Sequence, residues 1–275
     1  MKFIKLLYFD LKHGVFKSYY KYLFFLLLVS LAFWECHSTL SANDLNNAKF
    51  SDYLLYIYGG AKEYIPTPGV AFKLPYLWLL NHVLILFFVL NYMHKDLEGV
   101  GQQIIFRARS RNLWWISKCF CQFLSILFYY LLSWLEILCL CLISGVTISF
   151  ENSTFMVDVM DFGEKLLPVT NLCLIAETTI YPLLFTLCLG FVQMCLSLFI
   201  KPIFSYIVSV AVCISSAYRI NIFLIGNFSM ALRSNTVISN GVNDLFGIFI
   251  LLVLGSVSII IGKIKFGKYN ILNRE

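Results

Sequence analysis

The chain has 275 residues, of which 60% are hydrophobic and 13% are charged, and its formal net charge is +6. About a quarter of the residues in a soluble domain are charged. This composition therefore excludes an ordinary soluble protein and predicts an all-α protein that crosses a membrane several times. The first apolar run begins only after Lys21, the fifth lysine of the chain, and no small-residue cleavage site follows it. We expect an uncleaved anchor there.

Residues 1–18 are predicted to form a helix that lies in the membrane interface. Four apolar residues recur there at helical spacing, namely Ile4, Tyr8, Leu11 and Val15. Lys5 and Lys12 fall on another face, and such a separation is typical of an interfacial amphipathic helix. The alternative is a positively charged flank of the first span with no structural role of its own.

Six apolar runs have the length and composition of membrane-spanning helices. We predict these helices at residues 22–40, 76–93, 119–146, 171–200, 202–226 and 244–262, within one transmembrane domain that covers residues 1–275. The connections 41–75, 147–170 and 227–243 would then be outer loops, and the first would contain a short helix over residues 50–58. In the sixth span, Gly247, Gly255 and Gly262 form a small-residue stripe that predicts close helix packing.

The distribution of charge predicts the orientation of these spans. Of the 21 lysines and arginines, 15 fall before the first span, in segment 94–118, at Lys201 or after residue 262. Cytoplasmic segments of membrane proteins carry an excess of Lys and Arg. Both termini and segment 94–118 are therefore predicted to be cytosolic.

Segment 94–118 is the longest predicted cytosolic connection. It carries five cations and two acids, which are Lys95, Arg107, Arg109, Arg111, Lys118, Asp96 and Glu98. A polar segment between two spans lies outside the hydrocarbon. This segment is therefore the surface expected to receive a soluble partner.

The sequence lacks the motifs of several kinds of chemistry. Gly255 to Lys263 only superficially resembles a phosphate-binding loop, because six residues separate its glycines and Ile264 replaces the usual Ser or Thr. There is no His-Glu-x-x-His, Gly-x-Ser-x-Gly or Cys-x-x-Cys pattern. The nine cysteines are expected to act as small buried hydrophobic residues. We expect no enzyme activity, no metal, no cofactor of its own and no nucleic-acid partner.

Four ionisable residues fall in or near the predicted spans, namely Glu35, Glu136, Glu177 and Arg219. Such residues are costly in lipid, so they face either a substrate or proton path or a hydrogen-bonded packing partner. Glu177 and Arg219 fall about 9 and 10 Å below the same outer boundary at 1.5 Å per residue, which predicts an ion pair. Asn81 and His82 are expected at the outer membrane interface. Trp78 is also expected near the outer interface, and the Trp114-Trp115 pair is expected at the inner one.

The pattern resembles the permease subunit of ABC-2-type ABC transporters. The likeness rests on Glu98-Gly-x-Gly101, on Arg107-Ala-Arg-Ser-Arg111, and on the Trp114-Trp115 pair followed by Lys118. The resemblance implies that residues 1–18 are an elbow helix and that a coupling helix at or near Asp96–Ile105 docks onto a separate ATPase. It assigns that contact to six residues, which are Asp96, Glu98, Gln102, Arg107, Arg109 and Arg111.

The same resemblance implies further partners. ATP and Mg²⁺ would sit on the separate ATPase, and a second copy of the permease or a related one would complete the assembly in a bacterial plasma membrane. Small members of the family handle bacteriocins or other antimicrobial peptides, by export or for self-immunity, along a path lined by spans one, two and five. Two other functions stay open, a membrane scaffold that binds a peptide without transport and an intramembrane enzyme.

Overall fold

The computed structural model describes residues 2–42, 48–66, 68–69, 71–99, 110–151, 170–238 and 241–269. Regular structure in these residues is helical. The helices are α1 (Lys2–Gly14), α2 (Tyr19–Ala42), α3 (Phe50–Tyr58), α4 (Tyr76–Leu90), α5 (Tyr92–Glu98), α6 (Arg111–Ile143), α7 (Asn171–Leu196), α8 (Pro202–Tyr218) and α9 (Asp244–Gly267). Short 3-10 turns cover Phe16–Ser18, Ile225–Ser229 and Ala231–Arg233.

Five helical runs are long and apolar enough to cross a membrane. They are Phe3–Ala42, which joins α1 to α2, Tyr76–Leu97, which joins α4 to α5, and the helices α6, α7 and α9. Helix α8 is apolar but only 17 residues long, so it is about 25 Å long against a hydrocarbon core of about 30 Å. The prediction of an all-α protein is thus confirmed for the described residues, and five of the six predicted spans fall on helices that could cross a membrane.

Contacts between the helix ends give the bundle two distinct ends. At one end, Asp10 of α1 meets Lys118 near the start of α6, and Arg111 meets the carbonyls of Gly267 and Tyr269 after α9. At the other end, Lys49 bonds Glu151, so the segments that precede α3 and follow α6 are neighbours. The helices α2, α4, α6, α7, α8 and α9 therefore alternate in direction between these two ends.

Helix α3 has the bounds predicted for the short helix between the first two spans. Its start is fixed by a capping box, in which the backbone N–H of Lys49 donates to the carboxylate of Asp52 at 2.7 Å. The helix is buried on nearly all sides, and the ring of Tyr53 stacks on that of Phe33 with 4.5 Å between centroids. It is therefore part of the hydrophobic core and not a surface element.

Helix α7 contains one wide turn that follows from its sequence. Residues Ala176–Ile180 form a π-helical turn just before Pro182. Proline has no N–H to donate and its ring crowds the preceding turn. The wider turn relieves that crowding, and single π turns of this kind commonly accommodate such a break in an α-helix.

The glycine stripe of α9 is buried against neighbouring residues at all three positions, as predicted. A Cβ on Gly262 would lie 2.1 Å from the Trp115 ring, and one on Gly247 would lie 2.4 Å from the Phe228 ring. At Gly255 the nearest atom would be 3.7 Å away, which is ordinary contact. Aromatic rings therefore lie directly against the backbone of α9 at Gly247 and Gly262.

The predicted fifth span, 202–226, is wrong at its end. Helix α8 stops at Tyr218, and Arg219 is exposed with extended backbone. The chain then turns back into the protein, where it buries Phe228 and the residues Met230–Arg233. Residues 227–238 are therefore largely buried, whereas the sequence predicted a solvated loop there.

Candidate functional site

A buried cluster of charged residues joins three helices at the end of the bundle where α1 lies. Its members are Asp10, Tyr92, Asp96, Trp114, Ser117 and Lys118, and we call it the Lys118 cluster. The Nζ atom of Lys118 lies 2.5 Å from Asp10 Oδ1 and 2.7 Å from Asp96 Oδ2. The side chains of Asp10 and Lys118 are 0% and 1% exposed, so this is a charged group inside the protein.

Neighbouring donors complete the Lys118 cluster. Ser117 Oγ donates to Asp10 Oδ2 at 2.5 Å, Tyr92 Oη donates to Asp10 Oδ1 at 3.0 Å, and Trp114 Nε1 donates to Asp96 Oδ2 at 3.2 Å. The ammonium group also lies 4.8 Å from the Tyr92 ring centroid and 5.0 Å from that of Trp114. A buried charge is tolerated only when it is paired and hydrogen-bonded. Each charged member meets that condition.

The Lys118 cluster corrects two predictions. The sequence placed Lys118 among the solvated cations of segment 94–118, but the lysine is buried, since α6 begins at Arg111 and not at Cys119. Trp114 and Trp115 were expected at the membrane interface, but both are fully buried against Phe266. In both cases a contact from a distant helix encloses side chains that the local sequence would leave exposed.

The structure describes only part of the predicted ATPase contact. Asp96 faces inward to Lys118, and Arg111 is exposed and donates from Nη1 to the carbonyls of Gly267 and Tyr269 at 2.9 Å each. Glu98 ends α5, and its side chain lies outside the described part of the chain. Three further members of the set also lie outside it, namely Gln102, Arg107 and Arg109.

The four intramembrane residues predicted from sequence do not meet at one place. Glu35 is exposed and accepts a hydrogen bond from Tyr76 Oη. Glu136 is half-buried and accepts from Ser30 Oγ at 2.6 Å, while its Oε2 atom is buried without a partner in the described residues. Glu177 and Arg219 lie elsewhere and apart from each other.

The predicted pair of Glu177 and Arg219 is wrong. Glu177 is buried and accepts from Thr236 Oγ1 at 3.3 Å, whereas Arg219 is exposed beyond α8. The depth argument assumed that the helix continued to residue 226. Because α8 ends at Tyr218, Arg219 does not lie at that depth on a helix.

A different arginine, Arg233, is buried, and the sequence predicted no role for it. Arg233 is fully buried; its Nε donates to the Ala61 carbonyl at 2.8 Å and its Nη2 to the Ala217 carbonyl at 2.6 Å. Its Nη1 donates to Asn227 Oδ1 at 2.5 Å and also to the Ser216 carbonyl. Burial lowers the pKa of Arg233 to about 10, so the guanidinium stays charged at neutral pH.

The contacts of Arg233 give the physical reason for the early end of α8. The last carbonyls of a helix have no partner within the helix and attract cations. Arg233 brings a positive charge and hydrogen-bond donors to the carbonyls of Ser216 and Ala217, so these two carbonyls are paired where the helix ends at Tyr218. Arg233 also holds the segment after α8 against residues 61 and 62, which follow α3.

A neutral polar cluster lies between α4, α6 and α7. His82 Nδ1 is 2.6 Å from Thr186 Oγ1, and Tyr130 Oη lies 3.1 Å from the same nitrogen and 2.7 Å from Thr186 Oγ1. His82 is fully buried, so its predicted interfacial position is wrong, as is that of Trp78, whose Nε1 donates to Ser229. No local signal marks this cluster, because its partners come from helices distant in sequence.

The described residues define a helical protein with five helices that could cross a membrane, and buried polar contacts link these helices. Among the described residues, no group of three or more His, Cys, Asp and Glu side chains is placed to hold a metal ion. No protein-family model matches the chain, and comparisons with curated proteins and with solved structures find no match. The likeness to ABC-2 permeases thus rests on the sequence pattern of residues 98–118.

Proposed function

We propose that this chain is the membrane-spanning permease subunit of an ATP-driven ABC transporter in a bacterial plasma membrane. It forms a path for a peptide or another amphipathic substrate, in export or in self-immunity, with α8 as the fifth of six spans. A separate ATPase binds ATP and Mg²⁺ and docks on segment 94–118. A second permease copy, or a related permease, completes the path.

The Lys118 cluster is the observation that carries this proposal. Helix α5 contains the start of segment 94–118, and α6 begins within the segment. Lys118 of α6 pairs with Asp96 of α5 and with Asp10 of α1, so it links the three helices. Because the cluster is buried and charged, separating its members is costly. A force applied to the segment therefore displaces α1, α5 and α6 together, which is what a transporter driven from outside its membrane domain requires.

The link between these three helices also indicates how a docked ATPase would act on the permease. A bound partner shifts a conformational equilibrium only by binding one state more strongly than the other. Docking on a segment that is tied to three helices supplies such a difference, since any repacking of those helices moves the docking surface. The permease then provides the path, and the ATP chemistry takes place on the other subunit.

The surroundings of α1 support its placement in the cytosolic interface. Ile4 and Tyr8 are 69% and 67% exposed, so their side chains point away from the protein. Lys5 and Lys12 are exposed as well, whereas Asp10 and Leu6 face α6. Apolar residues directed away from the protein beside exposed lysines fit a helix that lies on a membrane surface.

Glu136 is our candidate for a substrate contact within the membrane. It lies on α6, and its Oε1 is held by Ser30 of α2 while its Oε2 has no partner in the described residues. A buried carboxyl oxygen without a partner is costly. A cationic or hydroxyl group of a passing substrate would offset that cost.

The test is co-purification from the native host, with ATP hydrolysis as the second readout. The wild-type chain should retain an ATPase that carries a phosphate-binding loop, and the complex should hydrolyse ATP. Replacing Glu98 with arginine should reduce the amount of bound ATPase at least tenfold, because a hydrogen bond to a charged group is worth about 1.5–3 kcal/mol and the reversal adds repulsion.

Glu151→Arg is the matched control, because it makes the same change in charge at the opposite end of the bundle, where the exposed Glu151 pairs with the half-buried Lys49. This variant should keep the ATPase. A wild-type chain that binds its peptide with no ATPase present would favour the non-transporting scaffold instead. Activity of the purified chain alone that is lost on changing one acid or histidine would favour an enzyme.

A further inference from the structure

A groove opens beside the Lys118 cluster, between α1–α2 on one side and α4–α5 on the other. Its volume is about 460 Å³. The polar part of its wall includes Ser18, Lys21, Asn91 and Lys95, and the apolar part includes Phe9, Phe87 and Phe88. Polar and aromatic side chains therefore lie on both sides of the groove.

Two lysines in the groove have no acid to neutralise them. Lys21 Nζ donates to the carbonyl of Phe88 at 2.9 Å, and Lys21 and Lys95 line the same groove, where their like charges repel each other. Within the part of the chain that the structure describes, neither Lys21 nor Lys95 forms an ion pair. Asp96, which also lines the groove, is already held by Lys118 and Trp114. The repulsion between Lys21 and Lys95 favours a bound anion.

The inner wall of the groove adds a second and independent observation. Lys21 and Tyr92 also line a smaller chamber of about 30 Å³, which reaches Gln122 and Gln193. These side chains are 6% and 2% exposed, and Gln122 Nε2 and Gln193 Oε1 have no hydrogen-bond partner in the described residues. Such a chamber has room for a water molecule or one hydroxyl group, and it offers that group both a donor and an acceptor.

The level of the groove along the bundle indicates what binds there. Tyr20 lines it, and Tyr19 and Tyr20 are 64% and 61% exposed at the start of α2, where an aromatic belt marks the headgroup region. Phe87, which also lines the groove, is 52% exposed. A ligand that fills this groove therefore has an anionic group at the headgroup level and an apolar chain beside it.

We propose that this groove binds the headgroup of an anionic phospholipid, with its phosphate between Lys21 and Lys95 and an acyl chain along Phe87 and Phe88. Headgroup hydroxyls then lie at the mouth of the chamber formed by Gln122 and Gln193. The bound lipid bridges α2 and α4–α5 beside the Lys118 cluster. This site does not depend on any ATPase partner.

Native mass spectrometry of the detergent-purified chain tests the proposal with phosphatidylglycerol and with phosphatidylcholine of the same acyl chains. The wild type should retain phosphatidylglycerol in preference. Lys95→Gln should weaken that binding about fivefold, and Lys21→Gln with Lys95→Gln roughly 25-fold, since each lysine near an anionic headgroup contributes about a factor of five. Lys201→Gln with Lys263→Gln is the matched control, because both lysines are exposed and outside the groove. This control should leave the preference unchanged.

Two further measurements distinguish a lipid from a soluble phosphate compound, and loss of lipid binding from loss of folding. Glycerol 3-phosphate has the same phosphate chemistry without acyl chains, and binding as tight as that of the lipid would overturn the lipid proposal in favour of a soluble phosphate compound. Lys95→Glu changes an exposed residue, so the variant should fold even if the double variant does not. If Lys95→Glu keeps the wild-type preference for phosphatidylglycerol, or if the control loses it equally, the groove is not a lipid site.

Discussion

Replacing Lys118 with methionine removes the cation of the Lys118 cluster and keeps a side chain of similar size. Asp10 and Asp96 are then buried without their counter-ion, at contacts that were 2.5 and 2.7 Å. Loss of one partner from a buried ion pair costs about 3–5 kcal/mol. Ser117, Tyr92 and Trp114 continue to donate to the two carboxylates, so we expect about 3 kcal/mol.

The assay is the thermal midpoint of the detergent-purified chain, measured by size-exclusion chromatography after heating. At about 2–4 °C per kcal/mol for a chain of this size, Lys118→Met should lower the midpoint by roughly 6–12 °C. Adding Asp10→Asn to Lys118→Met should cost less than the sum of the single changes, because the two residues are in contact.

Lys263→Met is the control for the loss of one lysine at an exposed position, and it should stay within about 2 °C of the wild type. A midpoint for Lys118→Met within that same range would refute the view that the cluster holds the helices together. So would strictly additive losses for Asp10→Asn and Lys118→Met.

Three further predictions concern the other end of the bundle, the glycine stripe and the orientation. Arg233→Gln leaves the carbonyls of Ser216 and Ala217 unpaired, so it should lower the free energy of unfolding by about 3 kcal/mol or more. The change Arg219→Gln, at an exposed residue, should lower it by under about 0.5 kcal/mol. Equal losses of stability in thermal unfolding would contradict this. Gly262→Ala places a methyl group against Trp115 and should cost about 1–3 kcal/mol, while Gly267→Ala, with open space around it, should be near neutral. In a cysteine-free background, Ser153→Cys should be labelled in intact cells and Ser110→Cys should not, and the reverse result would invert the proposed topology.

The helices could be predicted from the sequence wherever a long apolar run decided the structure. The bounds of helix α3 were also predicted, and the structure shows a local capping box of Lys49 and Asp52 at its start. The end of α8 could not be found in this way. It depends on Arg233, which lies in a segment that looks like an ordinary polar loop.

The candidate site was harder to predict than the fold because its charges are paired over long sequence distances. Asp10 and Lys118 are separated by 108 residues, and nothing local indicates that one neutralises the other. Charge counting placed Lys118 in a solvated loop, and depth counting paired Glu177 with Arg219. Both methods treat each residue as alone in its environment, whereas the burial of an ion depends on the partner that tertiary packing brings to it.

The most direct test of the proposed function places a photo-crosslinking residue at Arg107, in segment 94–118, and expresses the chain in its native host. The transporter model predicts one dominant crosslinked product, in which mass spectrometry finds peptides of a soluble ATPase with a phosphate-binding loop. The same residue placed at Glu151 should give no such product. Crosslinking at Arg107 that yields only lipid or copies of this chain, with no ATPase, would contradict the assignment of this protein as an ABC permease.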